Sequence, residues 1–299
     1  MLIVRRIHQN RSDKIISWLF LVPVFVVLIA AAFIPLGYGL GLSLTNYTLG
    51  QAHSHFIGLG NYIELFKSEL FQQSVRNNVF FAVVAVGLEM VFGTILAMII
   101  SEDSQLNRLG TTIMLIPMVI APVAAGILFR MMLDQQYGVV DYLLTLVGLP
   151  RVGWLSDYRV AIYSIIMVDV WEFTPYVAIL VVSSIKAIPK SFIEAALVDG
   201  ASLGRIFLKV ILPIISPVLI VVAMIRFIDA FKVFGTVYTM TQGGPGNSTL
   251  MLPNYIYEQG VNLFRVGFSS ASAFVFILAM FLIAFIFIRM RTAMLRRLG

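Results

Sequence analysis

Six ionisable side chains interrupt otherwise apolar stretches of this 299-residue chain: Glu89, Arg130, Asp169, Glu172, Arg226 and Asp229. A charge at the centre of a hydrocarbon layer costs about 2.5 to 3.5 kcal/mol on an insertion scale, so all six must face protein or water. Asp169, Glu172, Phe173 and Tyr176 recur at i, i+3, i+4 and i+7, which is one face of a helix, and Arg226, Asp229, Ala230 and Val233 repeat the spacing. Two such faces meeting across a cavity supply hydrogen-bond acceptors, donors and an aromatic platform, a set that suits a hydroxyl-rich solute. The same residues also fit a structural ion pair, Arg226 with Glu172 or Asp169, that holds two helices together. With four acids against two bases, pairing inside the chain cannot neutralise everything; the remainder needs water, protonation or another subunit. Glu89 stands mid-span with no role beyond a packed or paired carboxyl.

Bond-making chemistry has little to work with. The sequence has no cysteine, and His8, His53 and His55 form no metal-ligand pattern. No G-x-x-x-x-G-K-[ST] phosphate loop is present, so ATP is not expected on this chain. An intramembrane aspartyl protease could use Asp169 and Asp229, but neither sits in a glycine-flanked segment and no nucleophile and base accompany them. Buried Asp169, Glu172 and Asp229 could instead bind a proton or cation in an ion-coupled secondary transporter, although no inverted repeat is visible.

The elements that position these residues follow from composition. Apolar residues make up 60% of the chain and charged ones 12%, with a mean hydropathy of +0.94, which excludes a soluble enzyme and a disordered chain. Apolar runs near 18–40, 79–100, 111–133, 160–185, 207–231 and 266–288 are each long enough to cross a roughly 30 Å hydrocarbon layer as a helix. The expected fold is all-α: a single transmembrane domain, 1–299, of six helices. Lys and Arg in the first terminus (Arg5, Arg6, Arg11, Lys14), beside Arg108, in the loop with Lys186, Lys190, Arg205 and Lys209, and in the last terminus (Arg289, Arg291, Arg296, Arg297) outnumber those in the alternate segments (Lys67, Arg76, Arg151, Arg159, Lys232, Arg265). Both termini are therefore expected in the cytoplasm, and the net charge of +6 reflects this bias rather than a nucleic-acid partner. The first run continues through Phe33 to Leu44, longer than a signal-peptide core, and reads as an uncleaved anchor. Pro35, Pro117, Pro122, Pro175, Pro213 and Pro217 interrupt or kink the runs, as transport bundles tolerate. Gly37-x-x-x-Gly41 is a small-residue packing pattern.

Between the fourth and fifth runs, 188–205 reads as a short cytoplasmic helix and a turn. Ser191 and Glu194 have capping-box spacing, Gly200 is placed to end the helix in a left-handed conformation, and Ser202 can cap the next one. The resulting knob carries Phe192, Ile193, Ala196 and Leu197. It fits either insertion into a groove on another protein or an ordinary helix at the membrane interface.

Glu194-Ala195-Ala196, then Gly200, then Val210-Ile211-Leu212-Pro213 resembles the cytoplasmic EAA motif of permease subunits in binding-protein-dependent ABC importers, with valine in place of the usual isoleucine. The resemblance spans nearly the whole chain. Phe56-Ile57-Gly58-Leu59-Gly60-Asn61-Tyr62, Trp154-Leu155-Ser156-Asp157 and Thr241-Gln242-Gly243-Gly244-Pro245 resemble the carbohydrate-uptake branch, the last in its maltose-type first permease. The resemblance implies a type I importer bundle in the bacterial inner membrane that moves a sugar or sugar derivative inward. It implies a second permease subunit, an ATPase dimer carrying ATP and Mg, and an extracytoplasmic solute-binding protein as partners, with no cofactor on this chain. Glu194, Ala195, Ala196, Asp199 and Gly200 would form the coupling helix that docks on the ATPase. Asp169, Glu172, Phe173, Arg226, Ala230 and Val233, with Met118 and Pro122, fall where maltose-type permeases contact sugar. These residues depart from the neutral polar set of a maltose site and favour an anionic or highly polar solute.

Overall fold

The computed structural model describes residues 11–51, 53–101 and 105–298, with side chains at 11–17, 105–109, 297 and 298 excepted. The side chains of Arg5, Arg6, His8, Arg11, Lys14, Arg108 and Arg297, used above for orientation and metal chemistry, lie outside the described residues. In chain order the helices are α1 (Arg11–Ser43), α2 (Gly60–Lys67), α3 (Glu69–Ile100), α4 (Gln105–Met114), α5 (Ile116–Val119), α6 (Pro122–Met132), α7 (Val139–Leu146), α8 (Ala161–Lys186), α9 (Lys190–Val198), α10 (Leu203–Ile206), α11 (Leu212–Phe231), α12 (Gly235–Met240), α13 (Leu252–Tyr257) and α14 (Val266–Leu298). Wider π turns occupy Phe207–Ile211 and Glu258–Asn262. The first π turn leads into Pro213, whose missing N–H and bulky ring disturb the regular ladder at Lys209.

Among the described residues, five stretches are long and apolar enough to cross a membrane: Trp18–Ser43, Glu69–Ile100, Ala161–Lys186, Leu203–Met240 and Val266–Arg296. The expected third span, 111–133, is not one helix but α4, α5 and α6 in succession. Ile120 and Ala121 between α5 and α6 are extended, with ψ of 130° and 137°. Pro122 is the cause at Ala121, because its ring pushes the preceding residue out of the helical region. Six crossings therefore remain an approximate count.

The chain divides into two compact units, Met1–Leu65 with Gln259–Phe274, and Phe66–Glu258 with Val275–Gly299. In the first, α1 is followed by a short extended pairing of Thr45 with Phe56. Asn61 locks the start of α2 there, donating from Nδ2 to the carbonyls of Ser43 and Thr45 at 2.8 Å each. That accounts physically for the Gly60-Asn61-Tyr62 segment, whose Tyr62 hydroxyl also lies 2.8 Å from Ser43 Oγ. Arg265 pairs with Glu64 and covers the Phe268 ring at 4.2 Å. The described apolar side chains of α1 from Trp18 to Ile29 are almost all exposed, and Gly37 and Gly41 face open space.

In the second unit α3 packs chiefly on α8, and α11 lies against both. Small residues on one face of α3 permit this: Ala82, Ala85 and Ala97 are fully buried. A Cβ at Gly93 would stand 2.6 Å from Val177 Cγ1, so only glycine allows the two backbones to approach this closely. Val177, Val181, Ile185, Ile215 and Val222 complete the apolar core. At the other end of α3, Asn78 donates to the Phe231 carbonyl and accepts from Leu252 N–H, both at 3.0 Å. Asn77 likewise donates to Asn247 and Leu250 carbonyls, fixing the loop that contains Thr241 to Pro245.

Candidate functional site

The helix interfaces bring together three of the six membrane-embedded charges, and the partner of Arg226 comes from α3. Arg226 Nε donates to Glu89 Oε2 at 2.7 Å, and its Nη2 donates to Glu89 Oε1 at 2.9 Å and to Asp169 Oδ2 at 3.1 Å. The guanidinium also stacks on Phe173, 3.8 Å from the ring centroid. One planar cation thus ties α3, α8 and α11, with Arg226 1%, Glu89 0% and Asp169 4% exposed. The fork geometry of guanidinium matches a carboxylate in two parallel bonds, which a lysine could not reproduce. Of the two ion pairs read from the spacing, Arg226 with Asp169 forms. The pair with Glu172 does not.

Glu172 is different. It is 1% exposed, and its Oε2 has no hydrogen-bond partner among the described residues. Thr174 Oγ1, on the same helix, is also buried without a partner. Phe173 lies between these two residues in sequence and is half-buried, with the Arg226 guanidinium over its ring. Ala230 is buried, Val233 is half-buried, and Met118 and Pro122 are exposed on either side of the extended break between α5 and α6. Arg130 and Asp229 separate from the buried group. Arg130 is exposed in the last turn of α6 and donates to the Thr239 carbonyl at 3.2 Å, while Asp229 is half-exposed and pairs with Lys232 at 2.9 Å. Asp169 and Asp229 therefore have different partners and surroundings, and they form no carboxylate dyad with each other.

Glu89 is the residue that sequence spacing left without a partner. A signal was present: Glu89 falls on the same small-residue face of α3 as Ala82, Ala85, Gly93 and Ala97. A carboxyl on the face that meets another helix is a carboxyl that needs a cation.

The second candidate region is α9 and its exit. The helix begins after Pro189, which occupies the N-cap, and Ser191 lies inside it without a side-chain cap, so the expected capping box with Glu194 does not form. Pro189 fixes the entry in its place, holding an extended conformation before the first turn. The exit is as expected. Gly200 has φ +74°, with Gly200 N–H donating to Leu197 O and Ala201 N–H to Ala196 O at 3.0 Å each. This paired closure needs a left-handed residue, which glycine adopts without a Cβ clash. Ser202 takes the N-cap position of α10 in extended backbone, without a side-chain bond. Phe192, Leu197 and Val198 are 54%, 52% and 87% exposed. Glu194, Ala195 and Asp199 are exposed beside them and Ala196 is half-buried. On the inner side, Ile193 and Glu194 border a cavity of about 510 Å³ with Ser101, Ile185 and Lys186.

Comparison with known proteins agrees with this architecture. Residues 89–299 match the family described as "Binding-protein-dependent transport system inner membrane component". The chain is 33% identical over 276 residues to the probable ABC transporter permease protein y4oQ of Sinorhizobium fredii, covering 92% of this chain and 88% of that one. It is 31% identical to the trehalose/maltose transport system permease protein MalF of Thermococcus litoralis, covering 88% of each. In fold it resembles a chain from the crystal structure of a bacterial ABC transporter involved in the import of the acidic polysaccharide alginate, with a TM-score of 0.82, 22% identity, and coverage of 94% of this chain and 96% of that one. The chain belongs to the binding-protein-dependent transport system inner membrane components, the multi-pass permeases of ABC importers.

Proposed function

We propose that this chain is one of two permease subunits of an ATP-driven importer that carries a sugar or sugar derivative into the cytoplasm. The whole of 1–299 then acts as one transmembrane permease domain in the bacterial inner membrane, with both termini cytoplasmic. It performs no bond chemistry. An ATPase dimer supplies ATP and Mg, and a solute-binding protein outside delivers the cargo. The sugar class is supported by the relatives named above and by the stretch of α8 where the spare Glu172 carboxyl adjoins the Phe173 ring.

The single observation that carries the coupling half of this reading is α9: an exposed apolar knob, Phe192, Leu197 and Val198, closed by the Gly200 turn. Glu194, Ala195, Ala196, Asp199 and Gly200 are the docking surface, and a rigid-body shift of α9 passes between the ATPase and the bundle. On the solute side, Glu172, Phe173, Met118, Pro122 and Val233 border the path. Arg226, bonded to Asp169, holds the Phe173 ring, and Ala230 is buried one turn further along α11. The broken backbone at Ile120 and Ala121 supports a path there, because irregular backbone at membrane depth is tolerated only against protein or a water-filled cavity. Gly200→Val tests the coupling. A branched side chain at φ +74° is strained, so the variant inserts normally but retains little ATPase on co-purification. A full complement of ATPase with normal transport refutes the assignment.

A further inference from the structure

We propose that the end of α6 and α12 forms an outer carbohydrate subsite, separate from the path, where a pyranose ring rests between Arg130, Asp134 and the aromatic faces of Tyr137, Tyr238 and Trp154. The proposal rests on the importer reading, which places the 134–159 segment on the outer side of the membrane.

Two cavities of about 510 and 470 Å³ meet along Arg130 and Asp134, which line both. Tyr137, Tyr238 and Gln242 line the first; Gln136, Trp154 and Ser156 line the second. The walls are prearranged. Asp134 Oδ1 accepts the backbone N–H of Gln136 at 2.9 Å and of Tyr137 at 2.8 Å, and its carbonyl accepts Gly138 N–H at 2.8 Å. These bonds hold the turn and draw the Asp134 carboxyl below its ordinary pKa, so it is ionised at neutral pH. Trp154 is fixed from behind, its Nε1 donating to buried Asp141 at 2.9 Å. Arg130 is tethered through Nη1 to the Thr239 carbonyl. Gln242 holds a left-handed backbone at φ 52°, an unusual conformation for a residue with a side chain.

The chemistry selects the ligand class. Arg130 and Asp134 set opposite charges side by side, which disfavours phosphate by the carboxylate and a metal cation by the guanidinium. Planar donors and acceptors flank the Tyr137 ring, 89% exposed, and the side of the Tyr238 ring, 39% exposed, that is not stacked on Phe234. A sugar ring offers both matching features, hydroxyls at its rim and an apolar C–H face. The eight steps from Pro122 to Arg130 rise about 12 Å along α6, so a solute here waits about two helical turns outward from the path.

The test uses the assembled permease–ATPase complex in nanodiscs without binding protein. Trp18→Phe and Trp171→Phe leave Trp154 as the sole tryptophan of this chain, and its emission is followed while trehalose or maltose is added, with sorbitol as an acyclic control; partner tryptophans are subtracted using Trp154→Phe. The expected result is a saturable Trp154 response to both disaccharides. Asp134→Asn still caps the turn, and it and Arg130→Gln each weaken the response about tenfold or more, whereas Glu172→Gln in the path leaves it unchanged. No saturable response overturns the proposal, as does one insensitive to Asp134→Asn and Arg130→Gln. A response lost with Glu172→Gln alone reports the deeper path and also overturns it. If these variants impair only stimulation of ATPase by the binding protein, the surface is a protein-docking face and the subsite is refuted. Failure of the importer reading is distinct: reconstituted uptake of saccharide would then be absent in the unmodified protein.

Discussion

Replacing Arg226 with methionine removes the one cation that touches both Glu89 and Asp169 among the described residues. The change deletes charge-assisted bonds of 2.7, 2.9 and 3.1 Å and the ring contact with Phe173 at 3.8 Å, while leaving two carboxyl groups almost wholly enclosed. Breaking a buried pair from one side costs about 3 to 5 kcal/mol, because the remaining charge is uncompensated. Glu89→Gln keeps the shape and one acceptor, so its cost is smaller, about 1.5 to 3 kcal/mol. The double change Arg226→Met with Glu89→Leu replaces the pair by apolar volume and strands only the single Asp169 contact. Its cost should fall below the sum of Arg226→Met and Glu89→Leu measured alone by at least about 1.5 kcal/mol. Detergent-titrated unfolding of the purified complex measures the parent and all four variants on one scale. An Arg226→Met effect within about 0.5 kcal/mol of the parent, or additivity within about 0.5 kcal/mol, refutes the claim that this network holds the three helices.

Glu172→Gln provides the opposite pattern: with no bond to lose at Oε2, stability changes by no more than about 0.5 kcal/mol, while solute-stimulated ATPase activity falls about fivefold or more; equal loss of both assigns Glu172 to scaffolding. Single cysteines, introduced into a chain that has none, report orientation: one at Ser191 is shielded from an impermeant thiol reagent applied outside intact cells, and one at Ser156, exposed in the loop before α8, is labelled. The reverse pattern overturns the placement of α9 in the cytoplasm.

Long-range order in this protein is legible from sequence where hydrophobic length decides it, and illegible where three dimensions choose among equals. Five of the six apolar runs read from the sequence form long crossings, because about twenty residues are needed to span the hydrocarbon. The prolines at 117 and 122 were visible as interruptions, yet whether such a run kinks or breaks depends on what accepts its freed backbone. Here it separates into α5 and α6, which pack on α8 and α12 respectively. Spacing placed Asp169 and Arg226 on their helix faces, but spacing along one helix says nothing about rotation against another. Glu172 and Asp169 were equal candidates for Arg226, and Glu89, 137 positions away, was the stronger partner. At α9 the Gly200 turn was readable since left-handed closure demands one residue type. Its start was not, because Pro189 and Ser191 both suit a first turn and only the chain direction leaving α8 selects between them.

The central claim, that this chain is a permease subunit of an ATP-driven sugar importer, is tested most directly by uptake in proteoliposomes. These would hold the chain with its second permease subunit and ATPase dimer, with binding protein outside and the saccharide that co-purifies with that protein supplied in labelled form. The account predicts accumulation that requires ATP on the ATPase side, disappears when this chain is omitted, and persists in ionophore. Accumulation without ATP that collapses with ionophore would contradict it.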